Sequence, residues 1–350
     1  MNIYYHANQV YQLSFTKLVY KELGGIFVVN RLNRKLRLIW YLRASQRNNT
    51  INKIFNKIPD ILVINPKNQT NLNGLIITNS NTFLNVGKRC IKVFMGHGTG
   101  DKPYGGSAEN LNTNDYLLIS GEKHMEKIRD SNIKIPDEKL IKIGNPRFDE
   151  LSNNNFNKEA YMKSLGIKDL TRKIILYAPT WKWGNGTLHT YFHSFSKSLS
   201  KEYNLIVRPH YNDRKYIPRL KFWLIKENIN NVYITNPANF LVNDTIYDMA
   251  ISDALISDTS SIIYEYLITK KPIILLDSGF KDLHKMPPHL DIKTISDFYD
   301  GTIDISFFIK DTFEKHDLKT YETMLDNCFY FNDGQSNQRI IDFFKSIEHV

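Results

Sequence analysis

The sequence predicts an α/β protein built as two doubly wound, Rossmann-like parallel-sheet domains facing each other across a cleft. Three observations carry this. Short apolar runs recur along the chain, and they are apolar throughout rather than alternating, as suits parallel strands buried on both faces. Longer, helix-compatible polar stretches separate them, which makes βαβ units with right-handed crossovers. The chain has 350 residues, and at one domain per roughly 150 residues that length suggests two domains.

The runs follow in order. The first half places strands at residues 24–30 (GGIFVVN), 60–65 (DILVIN), 74–79 (GLIITN), 91–96 (IKVFMG), 115–120 (DYLLIS) and 139–144 (KLIKIG). The second half places them at 172–179 (RKIILYAP), 203–209 (YNLIVRP), 231–235 (NVYIT), 253–257 (DALIS) and 271–277 (KPIILLD). Between the halves, the polar asparagine cluster at 152–155 reads as a linker, so the domains are expected at 1–155 and 156–350.

Composition bounds the function. A content of 42% hydrophobic and 13% aromatic residues supports a real core. The formal charge of +10 favours anionic partners, phosphorylated substrates or an anionic lipid surface among them. The basic residues are scattered, with nothing longer than LNRKLR, which argues against a nucleic-acid partner. Cys90 and Cys328 form no CxxC pair, so neither a disulfide framework nor a structural zinc site is expected. No signal peptide and no 18-residue apolar window is visible, so a cytoplasmic protein is expected, touching the membrane from its inner face at most.

In open α/β sheets the ligand sits beyond the carboxyl ends of the strands, and five of those ends carry unusual residues. The stretch FMGHGTGDKPYG puts His97 in a turn between Gly96, Gly98 and Thr99. Glycine admits close backbone approach and histidine titrates nearest neutrality, so this turn suits a proton-transfer group brought up to a ligand. The other ends lead into Asn145, Pro146 and Arg147; Thr180 and Trp181; Arg208, Pro209 and His210; and Asp258, Thr259, Ser260 and Ser261. The last set reads as a helix start near Ser261 capped by Thr259 or Ser260, where free N–H groups and hydroxyls suit a phosphate. Other patterns fail. The His97 turn lacks the third glycine of a dinucleotide fingerprint, and GDKPYGGS has Gly106 where a P-loop needs lysine. His189 and His193 read as surface residues, and His284 and His289 as loop residues rather than a metal clip.

With those ends assembled, the sequence resembles the CDP-glycerol glycerophosphotransferase family of teichoic-acid and capsule synthesis. The resemblance covers roughly residues 92–277 and rests on GHGT, GNPRFD, LYAPTW, RPH and SDTSSIIYEY in that order. It implies a GT-B fold and transfer of glycerol phosphate from CDP-glycerol to an acceptor hydroxyl with release of CMP. It also makes the first domain the acceptor side and the second the nucleotide-donor side. His97 and His210 match the family's two catalytic histidines, and Asp258, Thr259, Ser260 and Ser261 its phosphate loop. Glu265 falls at the carboxylate near the donor ribose. Gly98, Thr99, Thr180, Trp181 and Arg208 join the donor site, and Arg147 is a candidate phosphate or acceptor contact. The sequence departs from the pattern at Gly100, where a proline is common, and at Asn145, where an aromatic is usual.

The expected partners are a CDP-polyol donor, a lipid-linked or capsular saccharide acceptor and the inner membrane surface, with no cofactor and no metal. The enzyme alternative is a GT-B glycosyltransferase or nucleotide-sugar epimerase. The non-enzyme alternative is a basic nucleic-acid or lipid-surface binding protein, which explains the charge but not the five strand ends.

Overall fold

The computed structural model describes residues 1–47, 55, 57–65, 68, 70–152 and 156–347. Seven parallel strands form the first sheet: β1 (Ile3–Ala7), β2 (Ile26–Val29), β3 (Asp60–Val63), β4 (Gly74–Thr78), β5 (Cys90–Phe94), β6 (Tyr116–Ile119) and β7 (Leu140–Lys142). Their order is β3-β2-β1-β4-β5-β6-β7. Six parallel strands form the second: β8 (Ile174–Tyr177), β9 (Asn204–Val207), β10 (Val232–Ile234), β11 (Ala254–Ser257), β12 (Ile273–Leu276) and β13 (Asp297–Tyr299). Their order is β10-β9-β8-β11-β12-β13, so each sheet reverses direction beside its own first strand. Those reversals lie between β1 and β4 and between β8 and β11, where such sheets open a crevice for ligands.

All eleven expected runs form strands, and two strands went unforeseen. β1 is one, at the centre of the first sheet, and its sequence IYYHA carries a histidine where an apolar residue was expected. His6 is fully buried nonetheless, because Thr78 Oγ1 at 2.9 Å and Asn30 Oδ1 at 2.6 Å bond its two ring nitrogens. The other is β13, a three-residue edge strand too short to show a period.

The continuous apolar character of the runs has its reason in the second sheet, which is covered on both faces. Leu176, Ile206 and Leu255 belong to the core on one face, while Ile175, Leu205 and Ile256 belong to the core on the other. Each such side chain, fully buried, contributes about 1.5–3 kcal/mol.

The linker expected near residue 155 lies outside the described residues. The helix Ser336–Ile347 returns to the first sheet, setting Ile340, Phe344 and Ile347 into the core that holds Tyr5, Phe27 and Leu75. Asn337 anchors its start, donating through Nδ2 to the Pro146 carbonyl at 2.7 Å and through its backbone N–H to Asp149 at 2.7 Å. Among the described residues, no helix is long and apolar enough to cross a membrane.

Candidate active site

A cleft of about 430 Å³ opens between the carboxyl edges of the two sheets. His97, Gly98, Thr99, Arg147, Thr180, Trp181, Arg208, His210, Ser260, Ser261 and Glu265 all line it, although they come from five separate stretches between positions 97 and 265. Asp258 and Thr259 do not.

His97 follows β5 in a turn that only glycines could make. Gly96 and Gly98 have φ of +72° and +119°. A Cβ on Gly98 would stand 2.8 Å from Ser261 Oγ, and one on Gly100 would stand 2.8 Å from Ser261 Cα. The glycines were expected to admit a ligand; in the structure they let the turn press against the helix start of the other domain. The same packing explains the departure from proline at position 100, since a ring there would meet the Ser261 backbone.

The two histidines are held in opposite tautomers. His97 Nδ1 lies 2.5 Å from the carbonyl oxygen of Asn79. Gln12 Nε2 lies 3.2 Å from the same nitrogen, but the carbonyl is the nearer partner and only accepts, so Nδ1 carries the proton and Nε2 keeps a lone pair. His210 Nδ1 accepts the backbone N–H of Asn212 at 3.2 Å, so there Nε2 carries the proton. The His210 ring stacks on Trp181, with centroids 5.8 Å apart and planes 14° apart. Tyr11 stands edge-on to both imidazoles, 6.2 Å from His97 and 6.3 Å from His210. Burial, reinforced by the nearby Lys127, pushes His97 down to about 4. Burial, with Lys102 and His97 nearby, pushes His210 down to about 3. Both rings are therefore neutral at pH 7.

The expected helix cap shifts by one residue. The helix Ile262–Glu265 has Ser261 as its N-cap, with no side-chain cap bond, so the hydroxyls of Ser260 and Ser261 are not spent on the helix. Thr259 instead donates its hydroxyl to the Gly184 carbonyl at 3.2 Å. Asp258 lies behind the wall and accepts from the backbone N–H groups of Thr180 at 2.8 Å, Thr187 at 3.0 Å and Thr259 at 2.6 Å. It ties the loops after β8 and β11 together.

The arginines are already paired. Arg208 meets Asp248 at 2.8 Å, and Asp248 also accepts from Tyr161 at 2.7 Å and Thr235 at 2.9 Å. Arg147 bonds Glu265 through one guanidinium nitrogen and Asp244 through another, the latter at 2.6 Å. Asp244 also holds Lys17 at 2.7 Å. Burial opposes charge on Asp244, but Lys17 and Arg147 outweigh it and hold the carboxyl well below the usual range. Glu265 is raised by burial, with Arg147 pulling the other way.

Sequence reasoning missed Tyr11, Lys102 and Lys127, which also line the cleft. Lys102 sits in the His97 turn itself, where only the dinucleotide and P-loop spacings had been tested. Lys127 lies on the helix Glu122–Asp130 and carried no signal, since a lysine on a helix is ordinarily solvated. Among the described residues, no three His, Cys, Asp or Glu side chains converge as metal ligands.

Two facing doubly wound sheets with this cleft between them define a GT-B protein. The solved structure of the wall teichoic acid polymerase TagF shares the fold, with a TM-score of 0.66, 18% identity and coverage of 99% of this chain and 89% of that one. A UDP-GlcNAc 2-epimerase from Neisseria meningitidis shares it more distantly, with a TM-score of 0.57, 14% identity and coverage of 99% and 100%. The chain matches the CDP-glycerol:poly(glycerophosphate) glycerophosphotransferase family over residues 19–345 and belongs to it. Its relatives include the teichoic acid glycerol-phosphate primase of Bacillus subtilis (strain 168), 27% identical over 241 residues, or 67% of this chain and 58% of the primase. They also include the teichoic acid ribitol-phosphate polymerase TarL of Staphylococcus aureus (strain NCTC 8325 / PS 47), 30% identical over 227 residues, or 59% of this chain and 37% of the polymerase. The matches thus span little more than half of one relative and about a third of the other.

Proposed function

We propose that this protein transfers glycerol phosphate, or a related polyol phosphate, from a CDP-activated donor to an acceptor hydroxyl in teichoic-acid-like or capsular polymer synthesis, releasing CMP. The observation that carries the proposal is the opposite tautomers of His97 and His210 in one cleft. The acceptor oxygen forms a bond to the polyol-bearing phosphorus while the bond from that phosphorus to CMP breaks. His97 Nε2 takes the hydroxyl proton, as a positioned neutral base does. His210 donates its Nε2 proton to the diphosphate, which the Ser260 and Ser261 hydroxyls also meet, so charge is stabilised where it develops. Glu265 Oε2 holds Arg147, which leaves Oε1 for a donor ribose hydroxyl. Gly98, Thr99, Thr180 and Trp181 flank the donor phosphates, Arg208 faces them from its Asp248 anchor, and Asp258 with Thr259 shapes that loop from behind.

The acceptor is a lipid-linked or growing polymer chain, and the protein meets it at an anionic membrane surface. Supporting this, residues 31–47 carry six Arg and Lys and no Asp or Glu. On that helix, Leu32–Arg47, the side chains of Leu32, Leu36 and Trp40 recur every four residues and are 63%, 59% and 62% exposed. An apolar stripe flanked by cations, with a tryptophan on it, suits the headgroup boundary of an anionic bilayer.

The test is CMP release from CDP-glycerol and CDP-ribitol in the presence of a polyol-phosphate acceptor. Release from either supports the reading. No release from any CDP-polyol, or thermal stabilisation by UDP compounds rather than CDP compounds, overturns it.

A further inference from the structure

The cations of the cleft divide into two kinds. Arg208 faces Asp248, Arg147 faces Asp244 and Glu265, and Lys123 pairs with Asp101. Lys102 and Lys127 differ: among the described residues, no carboxylate lies within 4.0 Å of either ammonium. Lys127 is buried, and its Nζ donates to the Gly100 carbonyl at 2.9 Å beneath the Tyr104 ring, 4.6 Å from the centroid. Lys102 bonds the Thr180 hydroxyl of the opposite domain. A buried cation with neutral partners is costly, and natural proteins keep one where a counter-charge arrives from outside.

We propose that Lys102 and Lys127 form an anion-binding pair, built by the first domain, that receives the phosphate groups of the substrate opposite the Ser260–Ser261 helix start. The Gly100 carbonyl that holds Lys127 belongs to the residue whose backbone presses on Ser261, so the two halves of the cradle meet at one point. The pair brings two positive charges to a donor diphosphate whose nearby arginines are already matched by carboxylates. It also makes the anion a bridge between the domains, since one wall of its site comes from each.

Protonation supports this. Burial lowers Lys127 to about 7, with Lys123 and Lys102 adding to the shift and Asp101 opposing it. Burial lowers Lys102 to about 8, opposed by Asp258. His97, His124 and His210 face the same space, and all three are neutral at the pH of the test. An arriving anion favours the charged ammonium, so binding draws protons from solution.

The pair is inferred for phosphate anions in general and rests on the proposed transfer only in naming the anion's carrier, so two probes separate the claims. Inorganic phosphate and CDP-glycerol are titrated calorimetrically near pH 8.5, in buffers of different ionisation enthalpy. The wild-type protein takes up between one and two protons per phosphate bound. Lys127→Gln takes up about one fewer and binds phosphate at least ten-fold more weakly, and Lys102→Gln behaves likewise. Without phosphate, Lys127→Gln melts at or above the wild-type temperature, because folding no longer has to strip a buried amine of its proton. Lys102 is only half-buried, so its variant reads the pair even where Lys127→Gln does not fold. Wild-type affinity and proton uptake in Lys102→Gln, or no phosphate binding by the wild type, overturns the inference. Phosphate binding with proton uptake but no binding of CDP-glycerol or CDP-ribitol, titrated alike, sinks the proposed function and leaves the lysine pair standing.

Discussion

Which nitrogen of a histidine keeps its proton is decided here by partners at very different distances along the chain. For His97 the partner is the Asn79 carbonyl, eighteen positions earlier (97 − 79 = 18), and for His210 it is the Asn212 amide, two positions later (212 − 210 = 2). His97→Ala is expected to lower turnover by about 10²–10⁴-fold, the usual contribution of a positioned base, with a much smaller change in donor affinity. His210→Ala is expected to lower both, because the proposed mechanism sets its Nε2 proton on the donor phosphates. Steady-state kinetics beside calorimetry separates the two outcomes. The His97 shift also has a sign that can be checked. A base with a lowered pKa stays neutral further into acid, so kcat/KM in the wild type should hold as pH falls through 6.5 and drop only toward 4. A limb at 6.5 would mean the ring is solvated. The histidines themselves were legible in the sequence, since a glycine-rich turn and the RPH stretch follow apolar runs. Their tautomers were not, because the deciding carbonyl belongs to the loop after a different strand.

At the level of single elements, legibility followed burial on both faces. Eight of the eleven runs were visible because parallel strands in a covered sheet need apolar residues at every position, while the edge strands β3, β7 and β10 kept apolar runs although only partly buried. β1 escaped because His6 occupies one of those positions and is made tolerable by Thr78 and Asn30, which no local pattern shows. The helix start at Ser261 was legible within one residue, and its serines can be tested as a unit. Ser260→Ala with Ser261→Ala should weaken donor binding by about 1.5–3 kcal/mol per charge-assisted bond lost, with the fold intact. Unchanged affinity by calorimetry would leave those hydroxyls without a role. The helix Leu32–Arg47 makes a different prediction. Leu36→Glu with Trp40→Glu should abolish cosedimentation with phosphatidylglycerol vesicles and leave the melting temperature within a few degrees, since both side chains are exposed. Vesicle binding that survives the substitutions would remove this helix from the membrane.

At the scale of the whole molecule, buried charge joins the two halves of the chain. Lys17 and Arg147 come from the first half of the chain, while Asp244 and Glu265 come from the second, and all four side chains are buried. Asp244→Asn leaves Lys17 with Glu150 alone and Arg147 with Glu265 alone, so it should cost about 1.5–3 kcal/mol in denaturant unfolding. The stabilisation from Asp244 is complete above the usual carboxylate pKa and is lost only as pH falls below it, because its partners hold the folded-state pKa down. A loss under about 1 kcal/mol would mean that the network is solvated. The pairing was not legible: Arg147 and Glu265 were expected to meet substrate rather than each other, and Lys17 and Asp244 resemble ordinary surface charges.

The helix Ser336–Ile347 carries its own consequence for how the molecule is made. The core around Tyr5 and Phe27 is finished by Ile340, Phe344 and Ile347, which a ribosome adds after every strand of both sheets. During synthesis the first sheet therefore waits, one flank uncovered, while the second completes itself from contiguous chain. The amino-terminal domain is begun first and sealed last, and a nascent chain stalled before residue 336 would expose the greasy flank that chaperones recognise.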